Sequence, residues 1–423
     1  LTIFIDLVGF SIIFPLFPSI LDYYLAKDGG SGLLANLLAW LDNLSATLGG
    51  GERFTPVLFG GVLGSLYATL QFFFAPIWGG LSDKHGRRPI LIITTIGMAL
   101  SYFAWVFAGN FGLLIAARII GGIMSGNLSV ATAAVSDVTT EKDRAKGMGI
   151  IGAAFGLGFV AGPAIGGFAS SIDLLAMNPD LGAYGINPFS FVALIATVLS
   201  VVNFVWIHRR FAESLPPEKR HADLASRNPI KRMLQPLPKP IRKTNLAYLI
   251  YILAFSGMEF TLTFLGVERF GFSQTQLAIM MIYIGFMLII TQGGIVRRLA
   301  PKIGNKKCAL IGLITVTGGL AALSQANSAG SLYIGLALMA IGAGLCSPTL
   351  TALVSLYSDS RDQGKSLGSF RAIGSLGRAV GPILASIVFW WFGSESLYIG
   401  GAILTLLAVF AASGLPEPKI SEN

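Results

Sequence analysis

Apolar runs about twenty residues long follow one another along this chain, separated by short polar connectors. A helix of about 20 residues is long enough to cross the hydrocarbon of a bilayer. The pattern predicts spans at Leu1–Leu25, Pro56–Leu81, Pro89–Ala108, Phe111–Asp137, Ala145–Ser170 and Pro188–His208. After a polar stretch, Arg209–Lys243, six more are predicted at Asn245–Val267, Gln274–Val296, Cys308–Gln325, Ser331–Leu356, Ser366–Trp391 and Ser396–Leu415. The predicted fold is an all-α membrane protein of twelve transmembrane helices in two pseudo-symmetric six-helix bundles. The bundles are residues 1–208 and 244–423, and residues 209–243 form a basic cytoplasmic linker. Two surface helices are expected between spans. Leu33, Leu34, Leu37, Leu38, Leu41 and Leu44 fall at helical spacing as a cap on the outer mouth, and Asn228–Leu234 forms a basic helix in the linker.

The two halves repeat. Gly158-Phe159-Val160-Ala161-Gly162-Pro163 in span five matches Gly377-Arg378-Ala379-Val380-Gly381-Pro382 in span eleven. The same register pairs Asp143 with Asp362, Lys146 with Lys365 and Gly149 with Gly368. The hairpin between spans two and three, Gly79 to Arg88, has a degraded echo in Gly293–Lys307, where Arg297 replaces Asp83. Two matched six-helix bundles in tandem are a transporter architecture, with substrate expected between the halves near mid-membrane.

Composition agrees with a membrane protein and redirects the reading of charge. Of 423 residues, 53% are hydrophobic and 12% charged, where a soluble chain carries about a quarter charged. The net charge of +9 invites a nucleic-acid partner, but 24 of the 30 Lys and Arg lie in alternate connectors or the C-terminal tail. That is the positive-inside distribution, and it predicts cytoplasmic termini. A bacterial inner membrane, a monomer, and no nucleic acid are expected. Cys308 and Cys346 lie at or in apolar runs, so neither a disulfide framework nor a metal site is predicted. The chain starts at Leu1 inside an apolar run, as expected of part of a longer protein. No nucleophile–base pair or soluble domain is visible, so an enzyme and a resident cofactor are not expected. Gly156-Leu157-Gly158 follows no strand and is not read as a phosphate loop.

Ionisable side chains inside spans are costly and therefore informative. They are Asp6, Arg118, Glu259, Arg371 and Arg378. A buried carboxyl takes up a proton in a dry setting and yields it to the field of an approaching cation such as Arg378. Glu259 is the first candidate for proton coupling and Asp6 the second. The competing reading makes Glu259–Arg378 and Asp6–Arg371 static salt bridges. Arg371 and Arg378 are two turns apart and share a helix face. With Arg118 they give the spans three cations against two acids, which favours an anionic substrate. Tyr67, Gln71, Phe74, Phe255 and Gln292, with Phe10, Phe260, Phe264 and Tyr283, are the candidate cavity walls for a flat amphipathic ligand. The glycines of span five, Gly158 and Gly162 among them, with Pro163, are read as a tight seam against the other half that must slide. Asp83, Arg87 and Arg88 are expected to join Asp137 and Arg144 in a cytoplasmic gate, at about 0–1 kcal/mol per water-exposed pair. His85, His208 and His221 are read as solvated.

The hairpin Gly79–Arg88 resembles the loop signature of the major facilitator superfamily. Arg118-Ile119-Ile120-Gly121-Gly122 with Gly126, and Gly152 through Gly167, resemble the span-four and span-five motifs of its drug:proton antiporter branch. Asp6-Leu7-Val8-Gly9-Phe10 with Pro15 and Pro18 resembles span one of tetracycline-type exporters. Val57 to Gly61, Gln71-Phe72, Phe255 to Leu262, Arg269-Phe270 and Gln292-Gly293 are similar to the tetracycline transporter-like proteins of animals. The second-half loop departs by lacking its acid, and the linker is shorter. The resemblance implies proton-linked export of lipophilic organic compounds, organic anions among them, with Arg118 influencing proton binding. A symporter or a lipid translocase on the same fold is the rival within transport. A non-transporting scaffold or receptor is the rival outside it.

Overall fold

A computed structural model describes residues 1–28, 32, 34–36, 39–40, 55–139, 141–220, 236–358 and 363–417; side chains at 55, 56, 59, 62, 141–150, 152, 153, 155, 219 and 363–365 are outside the description. Leu34 is helical and buried. Leu33, Leu37, Leu38, Leu41, Leu44 and the stretch 228–234 lie outside the described residues, as does His221. The chain divides into two compact units, Leu1–Arg227 with Gly271–Ile282, and Asn228–Phe270 with Tyr283–Asn423.

The first unit holds α1 (Thr2–Ser11), a 3-10 stretch at Phe14–Leu16, α2 (Phe17–Asp28), α3 (Thr55–His85), α4 (Arg87–Val106), α5 (Phe111–Met124), α6 (Asn127–Val138), α7 (Glu141–Ala169) and α8 (Ser190–Arg210). α9 (Lys239–Phe270) belongs to the second unit. α10 (Gln274–Ile290) follows and runs through a π-helical stretch, Thr291–Val296, into α11 (Arg297–Ile303). α12 (Asn305–Ser324), α13 (Ala329–Leu356) and α14 (Gln363–Ser413) complete it. Among the described residues, ten helices are long and apolar enough to cross a membrane. One of them, Ser366–Ser413, is divided by Gly393 at φ 81°, and the 31-residue α3 is a further long helix. The set is consistent with twelve spans.

Local chemistry explains the breaks. Pro15 has no N–H to continue α1, so span one passes through its 3-10 stretch before α2 resumes. Span four breaks at Ser125–Gly126, where the Trp78 side chain presses on Gly126 too closely for any Cβ. Trp78 Nε1 donates to the Ile123 carbonyl at 2.6 Å, satisfying a group that the break releases. The hairpin expected over ten residues contracts to one. α3 runs on through Ser82 and Asp83 to His85, and Gly86 alone, at φ 100°, turns the chain into α4. Gly304, at φ 85°, makes the corresponding turn between α11 and α12.

The glycine-rich helices close a seam, but not the expected one. A Cβ on Gly158 would lie 2.6 Å from Leu7 Cβ, and one on Gly162 2.8 Å from the Val8 carbonyl oxygen. Gly166 abuts the Ile12 carbonyl still more tightly. The partner of these three glycines of α7 is therefore α1 of the same unit, while Gly167 lies against Ala278 of the Gly271–Ile282 segment. Sequence shows that small residues share a face, not which helix lies on it. The second unit repeats the device, with Gly377 and Gly381 of α14 against Ile252 and Ser256 of α9. Ser11 Oγ donates to the Gly158 carbonyl, and Ser256 Oγ to the Gly377 carbonyl, each at 3.1 Å.

Candidate functional site

The turn at Gly86 is built around one guanidinium. Arg87 is 5% exposed and reaches Asp83, Asp137 and Ser82 at once. Its Nε donates to Asp137 Oδ2 at 2.8 Å, Nη1 to Ser82 Oγ at 2.7 Å, and Nη1 also pairs with Asp83. These charges, expected from the sequence to be water-exposed pairs, are thus largely withdrawn from water. Removing one partner of a buried ion pair costs about 3–5 kcal/mol, against 0–1 for a surface pair. The Arg88 guanidinium turns elsewhere: Nη2 donates to the His208 carbonyl at 2.7 Å. The Arg144 side chain is outside the description.

Glu213, just past α8 and read from sequence as part of a solvated linker, completes this turn. Its carboxylate accepts from the backbone N–H of Arg87 at 2.8 Å and of Arg88 at 3.2 Å. α4 has no capping side chain and no acid in its first turn, so its N-terminal donors need an acceptor from elsewhere. That missing cap was the signal available in the sequence. The second unit has a related arrangement, in which Glu417, after the last helix, lies 3.8 Å from Lys306 beside Gly304.

Asp6 lies where three helices of the first unit meet. Asn127 Nδ2 donates to Oδ2 at 2.8 Å, and Asn203 Nδ2 to Oδ1 at 2.9 Å. Asn127 opens α6 at the break in span four, and Asn203 is the fully buried residue of α8 beside exposed Val201 and Val202. Inspection of ionisable groups alone missed both amides, although an asparagine inside an apolar run is itself a signal. No ion pair lies within 4.0 Å of Asp6 among the described residues.

Arg118 is buried in α5, with its guanidinium carbon 5.3 Å from the Trp105 ring centroid. Its Nη2 has no hydrogen-bond partner among the described residues. Its charge and that of Asp6 both act on Tyr67 and Tyr102. Tyr67 packs on Phe10 at 5.1 Å, and Phe10 touches Phe14 and Phe159, so part of the expected aromatic wall is one cluster. Gln71 and Phe74 are half-buried and share the Tyr67 face of α3 by helical spacing.

In the second unit, Glu259 is half-buried in α9 and its electrostatic partner is Arg378 of α14. No ion pair lies within 4.0 Å of Glu259 among the described residues. Arg371 and Arg378 are exposed on one face of α14. Counted from the paired serines and glycines, Glu259 and Arg378 occupy the positions of Phe14 and Phe159, whose rings lie 6.0 Å apart. One unit thus places aromatic rings where the other places a carboxyl and a guanidinium. Phe255 is half-buried, 5.7 Å from the Tyr251 ring, and Gln292 is exposed in the π-helical stretch.

Two units of membrane-length helices, related by a repeat and carrying intramembrane charge without an ion pair among the described residues, define a secondary transporter. The family model for the Major Facilitator Superfamily matches residues 1–323 and 294–423. The chain is 33% identical over 443 residues to major facilitator superfamily domain-containing protein 10 of Bos taurus, covering 99% of this chain and 92% of that protein. It is 30% identical over 362 residues to the class H tetracycline resistance protein of Pasteurella multocida, covering 83% and 85%. The crystal structure of the human organic anion transporter MFSD10 (TETRAN) matches with a TM-score of 0.76 at 30% identity, covering 97% of each chain. The chain belongs to the major facilitator superfamily, and is a multi-pass membrane transporter rather than an enzyme.

Proposed function

We propose that this transporter is a proton-coupled antiporter exporting amphipathic organic compounds, organic anions among them. The observation that carries the reading is Glu259, a carboxyl within an apolar helix, without an ion pair at 4.0 Å among the described residues and under the field of Arg378. A carboxyl clamped in a salt bridge could not trade its proton readily; one near a cation that is not locked to it can. Arg378 and Arg371 supply the attraction for an anion, and Arg118 adds a guanidinium nitrogen without a hydrogen-bond partner among the described residues of the first unit. The organic anion transport stated for the human relative supports that choice, and the tetracycline resistance proteins support export.

In this reading Tyr67, Gln71, Phe74, Phe255 and Gln292 contact substrate, and the Arg87 cluster is the cytoplasmic gate. Both termini are cytoplasmic, on the evidence of the Lys and Arg distribution. The relatives come from mammals as well as bacteria, so the proposal concerns orientation and not a bacterial membrane in particular.

The test uses protein reconstituted in sealed vesicles holding a pH-sensitive dye. Adding an anionic fluorescent substrate should move protons opposite to it, and an imposed pH gradient should concentrate that substrate. Substrate movement without proton movement overturns the coupling. No substrate movement at all favours a scaffold or receptor.

A further inference from the structure

Asp6 of α1 and Glu259 of α9 are both set within apolar stretches of helix, and their settings differ. Glu259 has a cation for its electrostatic neighbour. Asp6 has two amides, one on each oxygen, at 2.8 and 2.9 Å. Asn127 is 3% and Asn203 0% exposed, so neither bond competes with bulk water. The two amides differ in their second contacts. Asn203 Nδ2 is also tied to the Thr2 carbonyl at 3.4 Å, while the Asn127 side chain has no other hydrogen bond among the described residues. Both Oδ1 atoms are buried without a partner among the described residues. Such atoms are rare in folded proteins and need a reason.

A single carboxylate offers only acceptors, but its protonated form has an O–H to donate. An amide with its oxygen untethered can serve both. Turned one way, its Nδ2–H meets the carboxylate; turned the other, its Oδ1 accepts the acid proton. The break in span four lies beside this amide. It ends α5 at Met124 and sets Asn127 at the first position of α6, a 12-residue half-helix whose N-terminal dipole also favours the anionic form. The other groups facing the site are Tyr67 of α3 and Tyr102 of α4, on which Asp6 and Arg118 of α5 both act, and the Leu1 amine.

We propose that Asn127 and Asn203 are positioning residues of a second proton-exchange site centred on Asp6. Asn203 holds the carboxyl as a fixed donor. Asn127 turns its amide, donating to the carboxylate and accepting from the acid, so that a proton arriving at Asp6 Oδ2 keeps a partner at Oδ1 of Asn127. The inference rests on the proton-coupled reading for its role in transport, but the site can be read without transport.

The experiment is an acid-minus-alkaline infrared difference spectrum of the full chain in lipid bilayers. A carboxyl C=O band absent from Asp6→Asn is the band of Asp6. It should move to higher wavenumber in Asn127→Leu and in Asn203→Leu, which keep volume but remove the amide, and lie between these and wild type in Asn127→Thr. Size-exclusion profiles identify folded variants. Proton-driven transport should fall about tenfold in each leucine variant, the factor of one charge-assisted hydrogen bond, with no further loss when either is added to Asp6→Asn. A band that stays in place, no band lost in Asp6→Asn, or additive losses overturns the inference. Band shifts without proton-coupled transport leave the site standing and defeat the functional reading instead.

Discussion

Tyr24 and Arg269 stand at corresponding positions of the two units, each thirteen residues past the serine that donates to a glycine of the facing helix. The Tyr24 hydroxyl donates to the carbonyl of Ala108. The Arg269 guanidinium donates to the carbonyls of Leu323 at 3.4 Å, Ser324 at 2.7 Å and Ala326 at 3.3 Å, and to Ser394 Oγ at 3.0 Å. Ala108 and Ala326 each lie twenty-two residues past the turning glycine, Gly86 or Gly304. The joint is repeated in place and changed in chemistry. It binds the end of the first span of each unit to the carbonyls left open at the end of the third.

Replacing Tyr24 by Phe removes one hydrogen bond and should lower stability by about 1 kcal/mol. Arg269→Lys keeps the charge but not the fork that spans three carbonyls and a hydroxyl, so it should cost about 1.5–3 kcal/mol. Thermal unfolding of the purified variants in detergent checks the order. A lysine variant as stable as the parent would make Arg269 a charge rather than a joint.

Glu259→Gln should leave a folded protein that exchanges labelled substrate across the bilayer but no longer concentrates it with a pH gradient. The glutamine keeps size and polarity and loses only the exchangeable proton. Counterflow and gradient-driven uptake measured on the same vesicles separate these. Retained gradient-driven uptake would remove Glu259 from proton coupling.

Gly86→Ala and Glu213→Ala test the turn from its two sides. At φ 100° and ψ 158° an alanine is strained, and its Cβ would collide with the Glu213 carboxylate, at a cost of about 1–3 kcal/mol. Losing the Glu213 cap should cost about 1 kcal/mol. The double variant should lose less than the sum, because the collision disappears with the carboxylate. Melting curves of the three proteins decide this.

In the seams, Gly162→Ala and Gly381→Ala each place a methyl group 2.8 Å from a backbone oxygen, of Val8 or Leu253. Each should destabilise by about 1–3 kcal/mol. Gly318→Ala, in the middle of α12 with nothing within 4 Å, should be neutral or stabilising by up to about 1 kcal/mol. Equal effects at all three would mean that helix propensity, not contact, governs them.

Arg378→Gln and Arg118→Gln, compared with anionic and cationic dyes, test the preference for anions. Export of the anionic dye should fall at least about tenfold while export of the cationic dye changes little, an electrostatic difference of about 1.4 kcal/mol. Equal losses for both classes would place these arginines in the architecture and not in recognition.

The chain order alone determined the membrane class, the two-fold repeat and the positions of the intramembrane charges, because hydropathy and spacing are local properties that each segment carries by itself. It also showed that Gly158 and Gly162 line a face and that Asp83, Arg87 and Asp137 carry complementary charge. Tertiary structure decided which surfaces meet. It set α7 on α1, carried Glu213 back over 126 residues to cap α4, buried Arg87 among its acids, and brought Asn127 and Asn203 to Asp6 across 121 and 197 residues. Those partners are remote in sequence, and packing within the whole unit is what selects among the many donors that could have reached each carboxylate.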